Sequence, residues 1–253
     1  MALTLEQVKA KSSARISGLH PVVKATTVAL IERCYAREVN IVITQGLRTI
    51  AEQDALYAQG RTKPGSIVTN AKGGYSYHNY GFAVDFALLL PNGSSVSWDM
   101  NRDYNGNNIK DWIEVVEEAD KLGFEWGGDW TSFKDYPHFQ MVFGLTLTQL
   151  RAGGKPSETA MAKASAIIDR LKEEVKEDMI KIAELEAIVL DQDERIATIE
   201  KRLNISGKET YAINYTEAIT AAKAVGAITT SADKSKIELN MIQMMYNMGL
   251  FKK

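Results

Sequence analysis

Ser76-Tyr77-His78-Asn79-Tyr80-Gly81-Phe82-Ala83-Val84-Asp85 reads as a loop that feeds a strand. His78 sits on the glycine-flanked loop and Asp85 on the strand, and a separation of seven lets the loop residue fold back over the strand residue. The strand runs on to Leu90 and is closed by Pro91-Asn92-Gly93, a strong turn signal ahead of Val96 to Trp98. Upstream, Asn40 to Thr44 is a short β-branched run and hence another strand, and downstream His138 to Phe143 is a further one. Elsewhere the apolar period lengthens to that of a helix. It does so over residues 22–37, over Thr49 to Gln59 with Thr49 as N-cap and Gly60 as stop, and over Asp111 to Lys121 ahead of Gly123. Repeated switching between the two periods, without a regular strand-helix-strand array, predicts an α+β domain over about residues 1–150.

The chemistry is concentrated in few residues. Of the three histidines, His20 precedes a proline and is expected to be a surface or packed residue. The other two keep unusual company. Asp135-Tyr136-Pro137-His138 brings a second imidazole, with Pro137 fixing the backbone and biasing Tyr136 to an extended conformation. Two imidazoles and one carboxylate, His78, Asp85 and His138, suit Zn²⁺, and three protein ligands leave a fourth position for water. Such chemistry needs a base for the water proton, and Asp135 is the candidate: three residues before a ligand, it can lie beside the metal and not on it. Arg48, at a strand-to-helix turn in Gln45-Gly46-Leu47-Arg48-Thr49, is placed to face a carbonyl oxygen as negative charge develops there.

Ser76 to Asp85 resembles the S-x-H-x-x-G-x-A-x-D signature of the zinc D-alanyl-D-alanine peptidase and Hedgehog superfamily, and Asp135 to His138 resembles its second motif. Ala58-Gln59-Gly60-Arg61-Thr62-Lys63-Pro64-Gly65, Thr69-Asn70-Ala71-Lys72-Gly73-Gly74, Trp126-Gly127-Gly128-Asp129-Trp130 and Phe133 are similar to one branch, the L-alanyl-D-glutamate endopeptidase endolysins of phages infecting Gram-positive bacteria. The resemblance covers about residues 1–150. It implies a central antiparallel sheet, one zinc on His78, Asp85 and His138, Asp135 as base, Arg48 near the substrate carbonyl, and cleavage of the L-Ala–D-Glu bond of peptidoglycan stem peptides. Ser76 and Gln53 are then contacts to substrate, supports for the residues that touch it, or purely structural, and Trp126, Trp130 and Tyr136 line the cleft or pack locally. Alternatives sharing the motifs are a D-Ala-D-Ala carboxypeptidase or dipeptidase, and a non-catalytic zinc-binding wall module.

Asp103, Asn105, Asn107, Asp111 and Glu114 fall at positions 1, 3, 5, 9 and 12 of a calcium-type loop, although Asn108 stands where such loops carry glycine. A polar turn feeding a helix accounts for the same residues without Ca²⁺.

A net charge of -2 gives no overall attraction to nucleic acid, and no apolar run is long enough to span a bilayer. The amino terminus lacks the pattern of a signal peptide, so synthesis is expected in the host cytoplasm, with holin-type release to the wall. Cys34, the single cysteine, lies on an amphipathic helix face and is expected to be a buried structural thiol. After Gly153-Gly154-Lys155-Pro156 no helix breaker occurs until Gly207. With a at Ile168, Val175, Ile182, Val189, Ile196 and Leu203 and d at Leu171, Asp178, Leu185, Gln192 and Ile199, nine of eleven seam positions are apolar. That predicts a linker and long helix over 151–206 and a parallel coiled-coil homo-oligomer through 168–203, with an antiparallel pair or packing on the first domain as alternatives. Residues 207–253 read as a small helical module for wall binding or oligomerisation, with helices over Thr216 to Ala224 and Ser235 to Met248. Met241, Met244, Met245 and Met248 form a stripe read as core ahead of a partner face.

Overall fold

The computed structural model describes residues 3–203, 213–229 and 234–251. Residues 207–212, which open the expected carboxy-terminal module, lie outside the described residues, as does the side chain of Leu203. In chain order, α1 (Leu5–Ile16) and α2 (Pro21–Ala36) lead into β1 (Ile41–Gln45), and α3 (Ile50–Ala58) precedes β2 (Ala83–Leu89) and β3 (Val96–Ser97). There follow α4 (Asp111–Lys121), β4 (Glu125–Trp126), β5 (His138–Gln140), α5 (Leu147–Arg151), α6 (Glu158–Leu203), α7 (Thr216–Ala224) and α8 (Lys236–Asn247).

The fold is α+β. Among the described residues one antiparallel sheet has the order β1-β2-β5-β4, with β3 pairing to the end of β2. Its register sorts the side chains by function. Ile41 pairs with Leu88, Ile43 with Phe86 and Val84 with Phe139, so these six share one face. There they are buried against Val8 and Ile16 of α1, Leu30 and Ile31 of α2, and Trp112 and Val115 of α4. Phe86 stacks on Phe139 at 5.0 Å between ring centroids and lies 4.4 Å from Trp112. Asp85 pairs with His138 one residue along, and the two-residue period turns both toward the opposite face.

Helix α1 has no counterpart among the helices expected from sequence. Its apolar face runs Leu5, Val8, Ile16 and is broken by Ser12, which hides the period. Ser12 is fully buried, and its Oγ accepts from the Ile43 backbone N–H at 3.0 Å, just ahead of a bulge that lets Gln45 pair with Asp85. A Thr4–Gln7 capping box starts the helix. The strand expected over His138 to Phe143 ends at Gln140, and Phe143 turns the chain in the left-handed region at φ 51°. Cys34 is buried, and burial drives its thiol well above the range in which it would ionise.

The chain divides into two compact units, Met1–Glu174 and Val175–Lys253. The first includes the opening turns of α6, where Ala164, Ile168 and Leu171 are buried in the same core as the sheet. In the second, Ala218, Ile219 and Ala222 of α7 pack with Leu239 and Ile242 of α8. The methionine stripe is not that core: Met241, Met244 and Met248 are exposed, because Leu239 and Ile242 occupy the inward face. No described helix is long and apolar enough to cross a membrane.

Phe86→Ala would open a cavity under the strand that carries Asp85 and is expected to cost about 3–5 kcal/mol of stability. Urea unfolding followed by tryptophan fluorescence measures it, and a loss near zero would show that the core is not centred there.

Candidate metal centre

His78 lies in a single 3₁₀ turn, Tyr77–Tyr80, capped by Ser76, whose Oγ accepts from the His78 N–H, and ended by Gly81 at φ 70°. That turn is sewn to the segment following β1. The Arg48 N–H donates to the His78 carbonyl at 3.1 Å, and the Asn79 amide donates to the Arg48 carbonyl at 2.9 Å. His78 Nδ1 is 2.8 Å from the Gly46 carbonyl oxygen. Gly46 must lack a side chain, since a Cβ there would fall 2.0 Å from the Arg15 carbonyl oxygen.

Three atoms then converge. His78 Nε2 is 3.2 Å from Asp85 Oδ1 and 3.1 Å from His138 Nδ1, and His138 Nδ1 is 3.1 Å from Asp85 Oδ1. The protonation of both rings follows from their outer neighbours. The Gly46 carbonyl only accepts, so His78 carries its proton on Nδ1. His138 Nε2 faces Gln140 Oε1 at 3.1 Å, and the Gln140 amide is oriented by donating to Glu125 Oε2 at 2.9 Å, so His138 carries its proton on Nε2. Two imidazole lone pairs and a carboxylate oxygen are left facing one another in a buried triangle. Without a cation this is repulsive; with ligand bonds of about 2.0–2.1 Å in tetrahedral geometry, ligand atoms lie about 3.3 Å apart. Among the described residues, His78, Asp85 and His138 form the one group of His, Cys, Asp or Glu side chains that can hold a metal ion. The donor set, its spacing and the outward hydrogen bonds of both rings fit zinc.

A cluster built for a cation also holds a proton tightly. For Asp85, burial opposes the charge, but the His78 charge and hydrogen bonds from His138 and His78 hold the carboxyl well below the usual carboxylate range. For His138, burial again opposes the charge, and the hydrogen bond and charge of Asp85, then Asp135 and Gln140, outweigh it and raise the imidazole above its ordinary value.

The surrounding cleft has a volume of about 500 Å³ and contains Arg48, Ser76, Trp130 and Asp135 beside the three candidate ligands. Burial, then the Asp85 charge, pushes the Asp135 carboxyl above its ordinary value, against His138, His78 and Arg48. Gly127 seats this residue: its carbonyl accepts from the Asp135 N–H at 3.1 Å, and a Cβ on it would fall 2.5 Å from the Asp135 carbonyl oxygen. The Arg48 guanidinium donates to Gln53 Oε1 at 2.8 Å and lies 3.6 Å from Asp85 Oδ2. Gln53 is not at the cleft surface. It is fully buried, its amide donating to the Ala71 carbonyl at 2.8 Å, so it positions Arg48 and the 69–71 loop. Tyr136 lies against Trp126, whose indole N–H donates to the Tyr136 carbonyl, and is not among the cleft-lining residues. Trp130 lies 5.2 Å from the His138 ring, centroid to centroid. Gln140, Trp98 and Phe133 also line the cleft and were not expected from sequence. Gln140 was accessible to the strand period, two residues from His138 on the same face.

The residues of the calcium-type loop are engaged otherwise. Glu114 pairs with Arg37 at 2.8 Å and accepts from the Asn105 and Asn107 amides. Asp103 accepts from the Gly106 and Asn108 N–H groups, and Asp111 from the Tyr104 N–H. The polar turn feeding α4 therefore describes this loop, with a guanidinium supplying positive charge to Glu114.

Residues 69–141 match a family model described as D-alanyl-D-alanine carboxypeptidase. The chain is 57% identical over 126 residues to the peptidoglycan L-alanyl-D-glutamate endopeptidase CwlK of Bacillus subtilis (strain 168), covering 50% of this chain and 75% of that protein. It is 30% identical over 133 residues to the L-alanyl-D-glutamate peptidase of Listeria phage A118, covering 53% of this chain and 41% of that one. A crystal structure of the Serratia marcescens L-Ala D-Glu endopeptidase ChiX matches at 31% identity and a TM-score of 0.37, over 53% of this chain and 88% of that chain.

Because both rings are set by their outer hydrogen bonds, Gln140→Leu is expected to weaken zinc binding by about 10–100-fold. Competition with a chromogenic chelator measures this, and unchanged affinity would remove Gln140 from the assembly. A proton taken up on His138 Nδ1 competes with zinc for the same lone pair. Affinity should therefore begin to fall, on lowering the pH, above the pKa of a free imidazole.

Proposed function

We propose that this chain, which belongs to the peptidoglycan L-alanyl-D-glutamate endopeptidase family of metallopeptidases, cuts the L-Ala–D-Glu bond of peptidoglycan stem peptides with one zinc ion per chain. The observation that carries the reading is the triangle of His78 Nε2, Asp85 Oδ1 and His138 Nδ1, open on one side to the cleft that contains Asp135 and Arg48. The 57% identity to the Bacillus endopeptidase supports the choice of bond.

Zinc bound by these three residues supplies a water of lowered pKa and an electrophile for the scissile carbonyl. The chain's own residues do the rest. Asp135, lifted by burial and the Asp85 charge, is suited to take a proton from the attacking water and return it to the leaving amine of D-Glu. Arg48, fixed by Gln53, presents positive charge to the developing oxyanion. Ser76 and Trp130 flank the ligands and bound the peptide's position.

The wider setting is a phage or prophage endolysin, made in the host cytoplasm, released by a holin and acting on a Gram-positive wall. Similarity to a Bacillus protein and a Listeria phage protein supports it. In this reading residues 1–150 are catalytic and residues 207–253 bring the chain to the wall. A second reading, removal of terminal D-Ala, is favoured by the description of the family model over residues 69–141.

Digestion of Gram-positive peptidoglycan followed by mass spectrometry separates the two. New amino-terminal D-Glu, abolished by a chelator and restored by zinc, is expected; release of free D-Ala would replace the first reading by the second. Asp135→Asn should retain zinc and lose about 10²–10⁴-fold in rate. Full activity in that variant would remove Asp135 from the mechanism.

A further inference from the structure

From Lys172 to Glu200 every residue of α6 is exposed. Beyond Ile168 and Leu171, which are buried in the first unit's core, the same heptad positions are left uncovered by any described residue: Val175, Ile182, Leu185, Val189, Ile196 and Ile199 are 48–60% exposed. The expected seam over 168–203 is thus split, its first two positions serving the fold of the first unit and the rest beginning at Val175. A surface helix that leaves this many large apolar side chains in water is incomplete alone.

The charges beside the seam say what completes it. Over residues 175–200 the e positions are Met179, Glu186, Asp193 and Glu200, and the g positions are Lys181, Ile188 and Arg195. One flank is acidic and the other basic. When two copies lie parallel and in register, each g position meets the e position five residues on in its partner, giving Lys181 with Glu186 and Arg195 with Glu200 and no like-charged pair between these flanks. In the seam itself Asp178, at d near the start, meets its own counterpart, the one like-charged contact that the flanking pairs offset. An antiparallel pair would set e against e and g against g, acid on acid and base on base. The present partners of the basic residues are weak and exposed: Lys181 lies 3.5 Å from Asp178, and Arg195 lies 3.9 Å from Asp191. β-Branched residues at Val175, Ile182, Val189 and Ile196 with Leu185 at d favour two strands, and Gln192 at d can hydrogen-bond its counterpart when the copies are in register.

We infer that residues 175–199 bind a second copy of this chain as a parallel, in-register two-stranded coiled coil. The particle then carries two catalytic units, so that release of one from the polymeric wall leaves the other to hold the particle in place.

Sedimentation equilibrium of the full chain tests this. A dimer at micromolar concentration is expected; a monomer throughout, or a larger assembly, would overturn it. Lys181→Glu with Arg195→Glu, and separately Glu186→Lys with Glu200→Lys, should each weaken the dimer roughly 100-fold, and mixing the two variants should restore it as a heterodimer. Retained wall clearing by each variant shows that the first unit still folds. Orientation is read by mild oxidation of Leu185→Cys, with Cys34 buried and out of reach. A disulfide-linked homodimer supports the parallel register, whereas linkage only in a mixture with Val189→Cys would contradict it.

Discussion

Three electron pairs that repel one another are held within 3.1–3.2 Å in a buried corner of this fold. Proteins seldom leave such an arrangement uncompensated, because burying even one unpaired polar group costs about 1–3 kcal/mol. The outer contacts prevent an easy escape. The Gly46 carbonyl takes the proton of one ring and the Glu125–Gln140 pair takes that of the other, so neither imidazole can turn its N–H inward without losing a hydrogen bond. A divalent cation converts the same geometry from repulsive to strongly attractive. The antiparallel register that opposes Asp85 to His138, the bulge in β1 and the glycine at residue 46 all bear on that one corner.

The rest of the first unit serves as its support. Phe86 and Phe139 stack beneath the two strands whose neighbouring residues are the candidate ligands Asp85 and His138, so the core packing and the geometry of the candidate metal centre share a backbone. Gln53 spends its buried amide on Arg48 and on the loop at residues 69–71, coupling that guanidinium to the cleft wall. Gly127 does the equivalent for Asp135 by leaving no room between two backbones. Such second contacts carry no charge and no metal-ligand chemistry.

That difference explains which parts were legible in the sequence. His78, Asp85 and His138 announce themselves because histidine is scarce in the chain and the residue types match a known coordination chemistry, and Asp135 draws notice only through its place three residues before His138. Strands β1 and β2 and helices α2, α3 and α4 follow from apolar period and end signals. Helix α1 did not, because its buried Ser12 interrupts the apolar period to serve a hydrogen bond that exists only in the folded sheet. For Gln53 the residue type left a contact to substrate, a supporting contact and a purely structural role open, and for the oxygens of the loop at 103–114 it left both calcium and a polar turn open. Their actual partners, Arg48 in one case and Arg37 in the other, are distant choices of tertiary structure that no local pattern reports. The methionine stripe of α8 failed for a related reason: two apolar faces were available, and the smaller, branched one was buried.

X-ray absorption spectroscopy of the zinc-loaded chain addresses the centre most directly. A first shell of two imidazole nitrogens, one carboxylate oxygen and one exchangeable oxygen from water is the result this structure predicts. A shell containing sulfur, or four ligands all supplied by protein, would contradict it, since the position needed for the attacking water would then be closed.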